Sequence, residues 1–360
     1  MSLFTEPAER AKAMGVFGFV VSGGGTIGVL LGGILTDALS WHWIFLVNLP
    51  IGVLVYALTL LLLPGARGTT AARRLDVAGA VTVTASLMLA VYAIVNGNSA
   101  GWTSVQTIGL LAAALVLLVA FLAIEARVEA PLMPLGLFRL RNVATANVVG
   151  VLWAAAMFAW FFLSALYLQL VLGYSPFQVG LAFLPTNLIM GAFSLGLSAK
   201  LVLRFGIRIP LSGGLLLAAL GLLLFVRAPV DGSFWDVLPS MILLGFGAGM
   251  AFNPMLLAAM SDVAPEESGL ASGVVNTAFM MGGALGLAVL ASLAASRTDS
   301  LQASGQDSLS ALTAGYHLAF FVGALFAAAA AVVGALLLRE PAHARGHEDA
   351  HAPVAAEAEA

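Results

Sequence analysis

Apolar residues recur in runs of about twenty, ten times between the two ends of the chain. The runs cover residues 16–35, 43–63, 77–95, 108–124, 143–172, 179–199, 209–226, 237–260, 270–294 and 318–338. About twenty apolar residues in a helix cover the hydrocarbon core of a bilayer. Backbone polar groups in lipid must be satisfied within a helix or around a closed barrel. The short alternating strands of a barrel are missing from the pattern. It therefore predicts an all-α polytopic membrane protein with about ten transmembrane helices. The fifth run is long enough to be tilted or to extend past the membrane.

Composition strengthens this reading. Charged residues make up 9% of the chain and hydrophobic residues 61%, and the mean hydropathy is +1.03. A soluble domain carries roughly 25% charged residues, so this chain has too little polar surface to cover itself in water. The basic residues then set the orientation. Of the 15 Lys and Arg, all but Arg227 and Arg297 fall in alternate connections that also include both termini. The positive-inside rule places that set, with both ends of the chain, in the cytoplasm of a bacterial inner membrane. The connection around Asp262, Glu266 and Glu267 runs against the rule.

Other chemistry is limited. Cysteine is absent, which excludes disulfides and thiolate catalysis. A net charge of -3 without a basic run gives no grip on nucleic acid. No cluster of nucleophile, base and acid falls at membrane depth, so no enzyme activity, cofactor or metal is expected. His343, His347 and His351 sit four apart in the polar tail. They could chelate a metal if helical, but the Ala/Glu/His/Pro composition of the tail favours solvated disorder.

Within the spans, glycine and amide residues are the candidates. Gly24, Gly28 and Gly32 lie four apart, with Gly33 adjacent, so one face of the first helix would admit a close neighbour. Generic tight packing accounts for the same spacing. The ninth run carries an echo in Gly282, Gly283 and Gly286. Asn48, Asn147, Gln169, Asn187, Asn253 and Asn276 could bind a substrate or hold helices together. Trp153, Trp160, Phe161 and Tyr167 could line a pocket or face lipid. No charged residue lies mid-span. Asp37, at the outer end of the first run, is the acid within this sequence that could couple protons, though an interfacial helix end is the more ordinary account of it; otherwise the coupling acid lies in helices this chain does not contain, or coupling is absent. Asp76 reads as a helix N-cap.

The motifs add a resemblance. Gly15, Gly24, Gly28, Gly32 and Gly33 in this spacing resemble the antiporter motif of the major facilitator superfamily. Residues 40–45 (Ser-Trp-His-Trp-Ile-Phe) and 47–52 (Val-Asn-Leu-Pro-Ile-Gly) resemble its fourteen-helix drug:proton antiporter family. So do Ser175-Pro176 with Gly180 and Pro185, and the stretch from Gly245 through Asn253-Pro254 to Asn276-Thr277. Val29 stands where that motif has Pro, His42 where Arg is usual, and Met280 where Gln is common. The resemblance covers residues 9–338 and implies two helical bundles rocking around a midplane site. A small apolar or cationic molecule would leave as protons enter, with Gly24, Gly28 and Gly32 as the sliding contact.

On this alignment the first run stands at the fifth helix of fourteen. The expected organisation is a cytoplasmic segment 1–14, a two-helix part of the N-terminal bundle at 15–63 and two linker helices within 64–142. A C-terminal six-helix bundle at 143–338 and a disordered tail at 339–360 complete it. The alternative is a remnant that transports nothing, or a structural partner of another membrane protein.

Overall fold

The computed structural model describes residues 24, 27, 28, 30–62, 76–261, 263, 264 and 267–339. The segment 1–14, Gly15, most of the first apolar run, the connection at 63–75 and the tail with its three histidines lie outside the described residues. Those described form helices, and no strand occurs among them. In chain order they are α1 (30–38), α2 (Trp43–Leu46), α3 (Asn48–Leu62), α4 (Val77–Ala100), α5 (Val105–Glu125) and α6 (Arg141–Leu166). Then follow α7 (Pro176–Ala182), α8 (Leu184–Ala192), α9 (Ser198–Phe205), α10 (Arg208–Phe225), α11 (Phe234–Met260), α12 (Ser268–Ala303) and α13 (Ser308–Leu337).

Eight helices among the described residues are long and apolar enough to cross a membrane. They coincide with eight of the ten apolar runs. The sixth run, 179–199, differs, because the chain there is not one helix. It is built from α7, α8, a π-helical turn Phe193–Leu197 and α9. Pro185 sits in the first turn of α8 and has no N–H to continue the preceding ladder. Gly196 then kinks the chain with φ 125°, a conformation that a side chain would resist.

Helix ends also outrun the apolar runs. Helix α12 spans 36 residues, or about 54 Å at 1.5 Å per residue, well beyond a bilayer core. Helix α13 starts at Ser308, where the Asp307 carboxylate accepts from Leu309 N and Ser310 N at 3.2 Å each. The two extensions support one another. A Cβ at Gly315 would collide with Thr298 Oγ1 and lie 2.5 Å from Ala294 O, so the backbones of α12 and α13 approach closely there.

Glycines close most of the helix contacts. A Cβ on Gly282 would lie 2.7 Å from Val151 Cα, and one on Gly286 would run into Ala155. The glycines of the ninth run therefore seat α12 on α6. Between α10 and α11, Gly214 and Gly247 face each other's helix backbone, with a Cβ on either falling within 2.7 Å of it. Helix α8 meets α11 at Gly245, whose Cβ would sit 3.0 Å from Thr186 O. The Thr186 hydroxyl donates to Met241 O at 2.9 Å beside it.

Trp153, Trp160, Tyr167, Phe225 and Phe320 fill the core of this assembly and are fully buried. Its ends are tied by Arg141, whose Nε donates to Leu337 O at 2.8 Å. Asn142 makes a reciprocal pair with the Arg339 backbone at 2.9 and 3.0 Å.

Helices α4 and α5 form a hairpin, held inside by Ser86 Oγ donating to Ala114 O at 2.7 Å. The hairpin docks on α12 near its turn. There Asn98 Nδ2 donates to Ser292 O at 2.8 Å and Ser292 Oγ to Ile94 O at 2.9 Å. Trp102 Nε1 donates to Asn98 Oδ1 at 2.8 Å and orients the amide. Helices α2 and α3 bury no residue.

The close approach of α12 to α6 gives a direct prediction. Gly286→Leu should lower the thermal stability of the detergent-purified protein, by about 1–3 kcal/mol or more, through overpacking. Gly273→Leu, on the same helix with nothing within 4 Å of its Cβ, should leave the melting temperature unchanged.

Candidate functional site

The end of α1 meets the α6–α8 region through a glycine and an acid. Gly33 is buried, and a Cβ there would lie 2.8 Å from Pro176 O and 3.1 Å from Phe177 Cα. One turn on, the exposed Asp37 accepts a hydrogen bond from Ser175 Oγ at 3.3 Å. Ser175 is placed by local sequence. It caps α7 in a capping box, accepting from Gln178 N while its own N–H donates to Gln178 Oε1 at 2.9 Å. Pro176 follows at the first helical position, where a missing N–H costs nothing. The hydroxyl that starts α7 is thus the one that holds Asp37.

A cleft of about 360 Å³ opens beside this contact. Gly32, Gly33 and Thr36 of α1 and Ile44 of α2 form one wall. Phe161 and Ala165 of α6, Val179 and Gly180 of α7, and Phe183 form the other. Phe161 and Phe183 stack at 5.4 Å between ring centroids and 21° between planes, and Trp160 packs edge-on to Phe183 at 5.8 Å. Gln169 also faces the cleft, from the π-helical turn Tyr167–Val171 that ends α6. Such turns cluster at functional positions because they locally re-aim side chains. The cleft is therefore an aromatic slot with one amide and one nearby carboxylate. That chemistry suits a flat apolar body carrying a polar or cationic group.

The structure brings together only part of the candidate set. Gly32, Gly33 and Gln169 share the cleft, with Asp37 at its edge. Among the described residues, Cβ atoms at Gly24, Gly28 and Gly32 would meet nothing within 4 Å. The tight approach falls one residue past the four-residue spacing, at Gly33. Asn48 is exposed and bonds back to α2, donating to Ile44 O at 2.9 Å. Asn147 is buried in α6 and donates to Val143 O at 2.9 Å, with its Oδ1 unpartnered. Asn187 on α8 and Asn253 on α11 are half-buried, the latter beside the buried Pro254, and Asn276 on α12 is exposed. None of these asparagines lines the cleft.

Of the four aromatic candidates only Phe161 lines the slot. Trp153, Trp160 and Tyr167 are core residues, and Tyr167 donates to Pro229 O at 2.6 Å. Thr36 and Phe183 were not singled out by sequence, and Ile44 entered only as part of the resembling stretch 40–45; their place in the cleft comes from which helices cross. Ser175-Pro176, singled out only for the family resemblance, is the start of α7. Asp76 caps α4 as its sequence position indicates, accepting from Gly79 N at 2.8 Å.

A second, more apolar cleft of about 610 Å³ lies between α4 and α12, with Met88, Tyr92, Asn96, Met280 and Met281 in its walls.

Comparison with known proteins adds relatives. The sequence profile of the Major Facilitator Superfamily matches residues 1–287. The puromycin resistance protein pur8 of Streptomyces alboniger is 38% identical over 340 residues, 94% of this chain and 66% of that protein. The multidrug resistance protein Stp of Mycobacterium tuberculosis is 37% identical over 292 residues, 81% of this chain and 54% of that protein. The cephamycin export protein CmcT of Amycolatopsis lactamdurans is 36% identical over 346 residues, 95% of this chain and 69% of that protein. The chain thus spans between about half and two thirds of the length of these relatives.

The α1–α7 contact can be tested in a chain that has no cysteine of its own. An Asp37→Cys/Ser175→Cys pair should cross-link on mild oxidation, and a Gly28→Cys/Ser175→Cys pair should not. The readout is the mobility shift on a non-reducing gel and its reversal by reductant.

Proposed function

Because the chain belongs to the Major Facilitator Superfamily, we propose that it is a secondary transporter exporting apolar or cationic small molecules in exchange for protons. The observation that carries this reading is the cleft at the Gly33–Pro176 contact, where α1 crosses the α6–α8 region. A polar and aromatic slot between helices from separate parts of the chain is what alternating access requires. It can be covered from one side and then the other as the parts rock. The glycine lets one backbone slide past another without a side chain to lock it.

In this reading Phe161 and Phe183 take the apolar body of the substrate and Gln169 orients it. Asp37 is the proton-coupling acid, and Ser175 stabilises its charged form. Each proton moving inward across 100 mV supplies about 2.3 kcal/mol, before any pH gradient. The bacterial relatives support a place in the bacterial plasma membrane, and the bias of Lys and Arg to one set of connections supports both termini in the cytoplasm. The names of the relatives suggest the first substrates to try: puromycin, a cephamycin and a lipophilic cationic dye.

The test is transport by proteoliposomes with an imposed pH gradient, beside drug resistance of an efflux-deficient host. The wild-type protein should move at least one of these compounds against its gradient. Gly33→Leu should cut that rate by an order of magnitude or more while membrane insertion stays intact. Asp37→Asn should abolish the response to the pH gradient but keep downhill exchange. Gly28→Leu decides whether the whole glycine face slides: retained export would confine the moving contact to Gly33. No transport of any compound by a folded protein would favour the structural-partner reading.

A further inference from the structure

Two carboxylates sit buried at the open end of the α4–α5 hairpin, and the transport reading uses neither. Asp76, ahead of α4, is 6% exposed, and Glu125, the last residue of α5, is 4% exposed. One oxygen of each is occupied. Asp76 Oδ1 accepts from Gly79 N at 2.8 Å and Glu125 Oε2 from Met133 N at 3.0 Å. The other two oxygens, Asp76 Oδ2 and Glu125 Oε1, are buried with no hydrogen-bond partner. Both converge over Gly79. A Cβ there would collide with Asp76 Oδ2 and lie 3.0 Å from Glu125 Oε1.

Two bare carboxylate oxygens facing one another out of water repel strongly and lack the donors a buried acceptor requires. One proton between them removes a charge and makes a short, charge-assisted hydrogen bond. Among the described residues nothing else supplies it: Asp76 is the one ionisable side chain there that bears on Glu125, and the loop packed against it contributes the backbone of Leu132 and Met133. Arg127 and Glu129 of that loop are exposed. A metal ion fits less well. Calcium or magnesium takes six or more oxygens, and no group of three or more metal-ligating side chains occurs among the described residues.

We propose that Asp76 and Glu125 form a proton-binding site, holding one proton between Asp76 Oδ2 and Glu125 Oε1. The proton clasps the open end of the hairpin. Through Met133 it also fixes the loop that leads into α6. Loss of the proton leaves two adjacent charges and loosens the hairpin where it joins the rest of the protein. The site binds its proton whether or not the chain transports anything.

The test uses the purified full chain in lipid nanodiscs. Infrared difference spectroscopy should show a protonated-carboxyl C=O band at neutral pH. Glu125→Gln and Asp76→Asn should each remove it. In parallel, the melting temperature of the wild type should fall by several degrees from mildly acidic to alkaline buffer. The pair then loses a proton that the unfolded chain does not hold, so stability drops as pH rises. Glu125→Gln should flatten that dependence, because its amide N–H donates permanently to Asp76. Should that variant not fold, Asp76→Asn carries the same prediction, since Asn caps a helix as well as Asp. No protonated-carboxyl band in the wild type, or parallel pH curves for the wild type and the folded variant, overturns the proposal. Sodium or calcium stabilising the wild type but not Glu125→Gln at fixed pH also overturns it, in favour of a metal site.

Discussion

Helices in lipid gain nothing from hiding apolar side chains against each other, because the surrounding tails are equally apolar. What remains is dispersion at close range and a few hydrogen bonds, and both need backbones to approach. The whole arrangement of α6 to α13 depends on that approach. Gly282 and Gly286 bring α12 onto α6, Gly214 and Gly247 join α10 to α11, and Gly315 joins α13 to α12. The same device at Gly33 admits the backbone of Pro176. Contacts that only pack and the contact proposed to slide are built alike. What separates them is the number of neighbours that lock each one. The α12–α6 seam has three glycine contacts, at Gly282, Gly283 and Gly286, beside a fully buried aromatic core, whereas among the described residues α1 meets α7 at a single glycine and one hydrogen bond.

Polar side chains do the rest, inside the helix contacts at Ser86 and Thr186 and toward helix ends elsewhere. Ser175 both starts α7 and holds Asp37. Arg141 and Asn142 close α6 onto the end of α13. Asn98 and Ser292 fasten the hairpin to α12. Asp76 and Glu125 face each other at the opposite end of the same hairpin. Each of the sites toward helix ends lies near where water begins, so charge and hydrogen bonding cost least there and can still respond to a ligand or a proton.

The membrane spans were legible because hydrophobicity reports the solvent directly. The same reading placed the cap at Asp76, where local chemistry decides. Helix length was not legible at α12 and α13. Thr298, Asp299 and Gln302 end the apolar run but not the helix, whose continuation is settled by packing against a neighbour. Nor was the break inside the sixth run, although Pro185 and Gly196 were visible. Proline and glycine are common in membrane helices, and only neighbouring backbone shows which of them bends the chain.

For the candidate site the division is sharper. Sequence by itself determined that this is a helical membrane protein of one recognisable family, because lipid leaves the backbone few choices and the motifs are local. Among the described residues, the tertiary structure alone decided that Gly33, rather than Gly24 or Gly28, is the tight contact. It also decided that Trp160 fills the core while Phe161 beside it lines the slot, and that the free oxygens of Glu125 and Asp76 meet over Gly79. Those outcomes depend on crossing angles and on residues 49 positions apart in the case of the carboxyl pair. One-dimensional spacing carries no record of such distances, because each is set by how two separate helices pack.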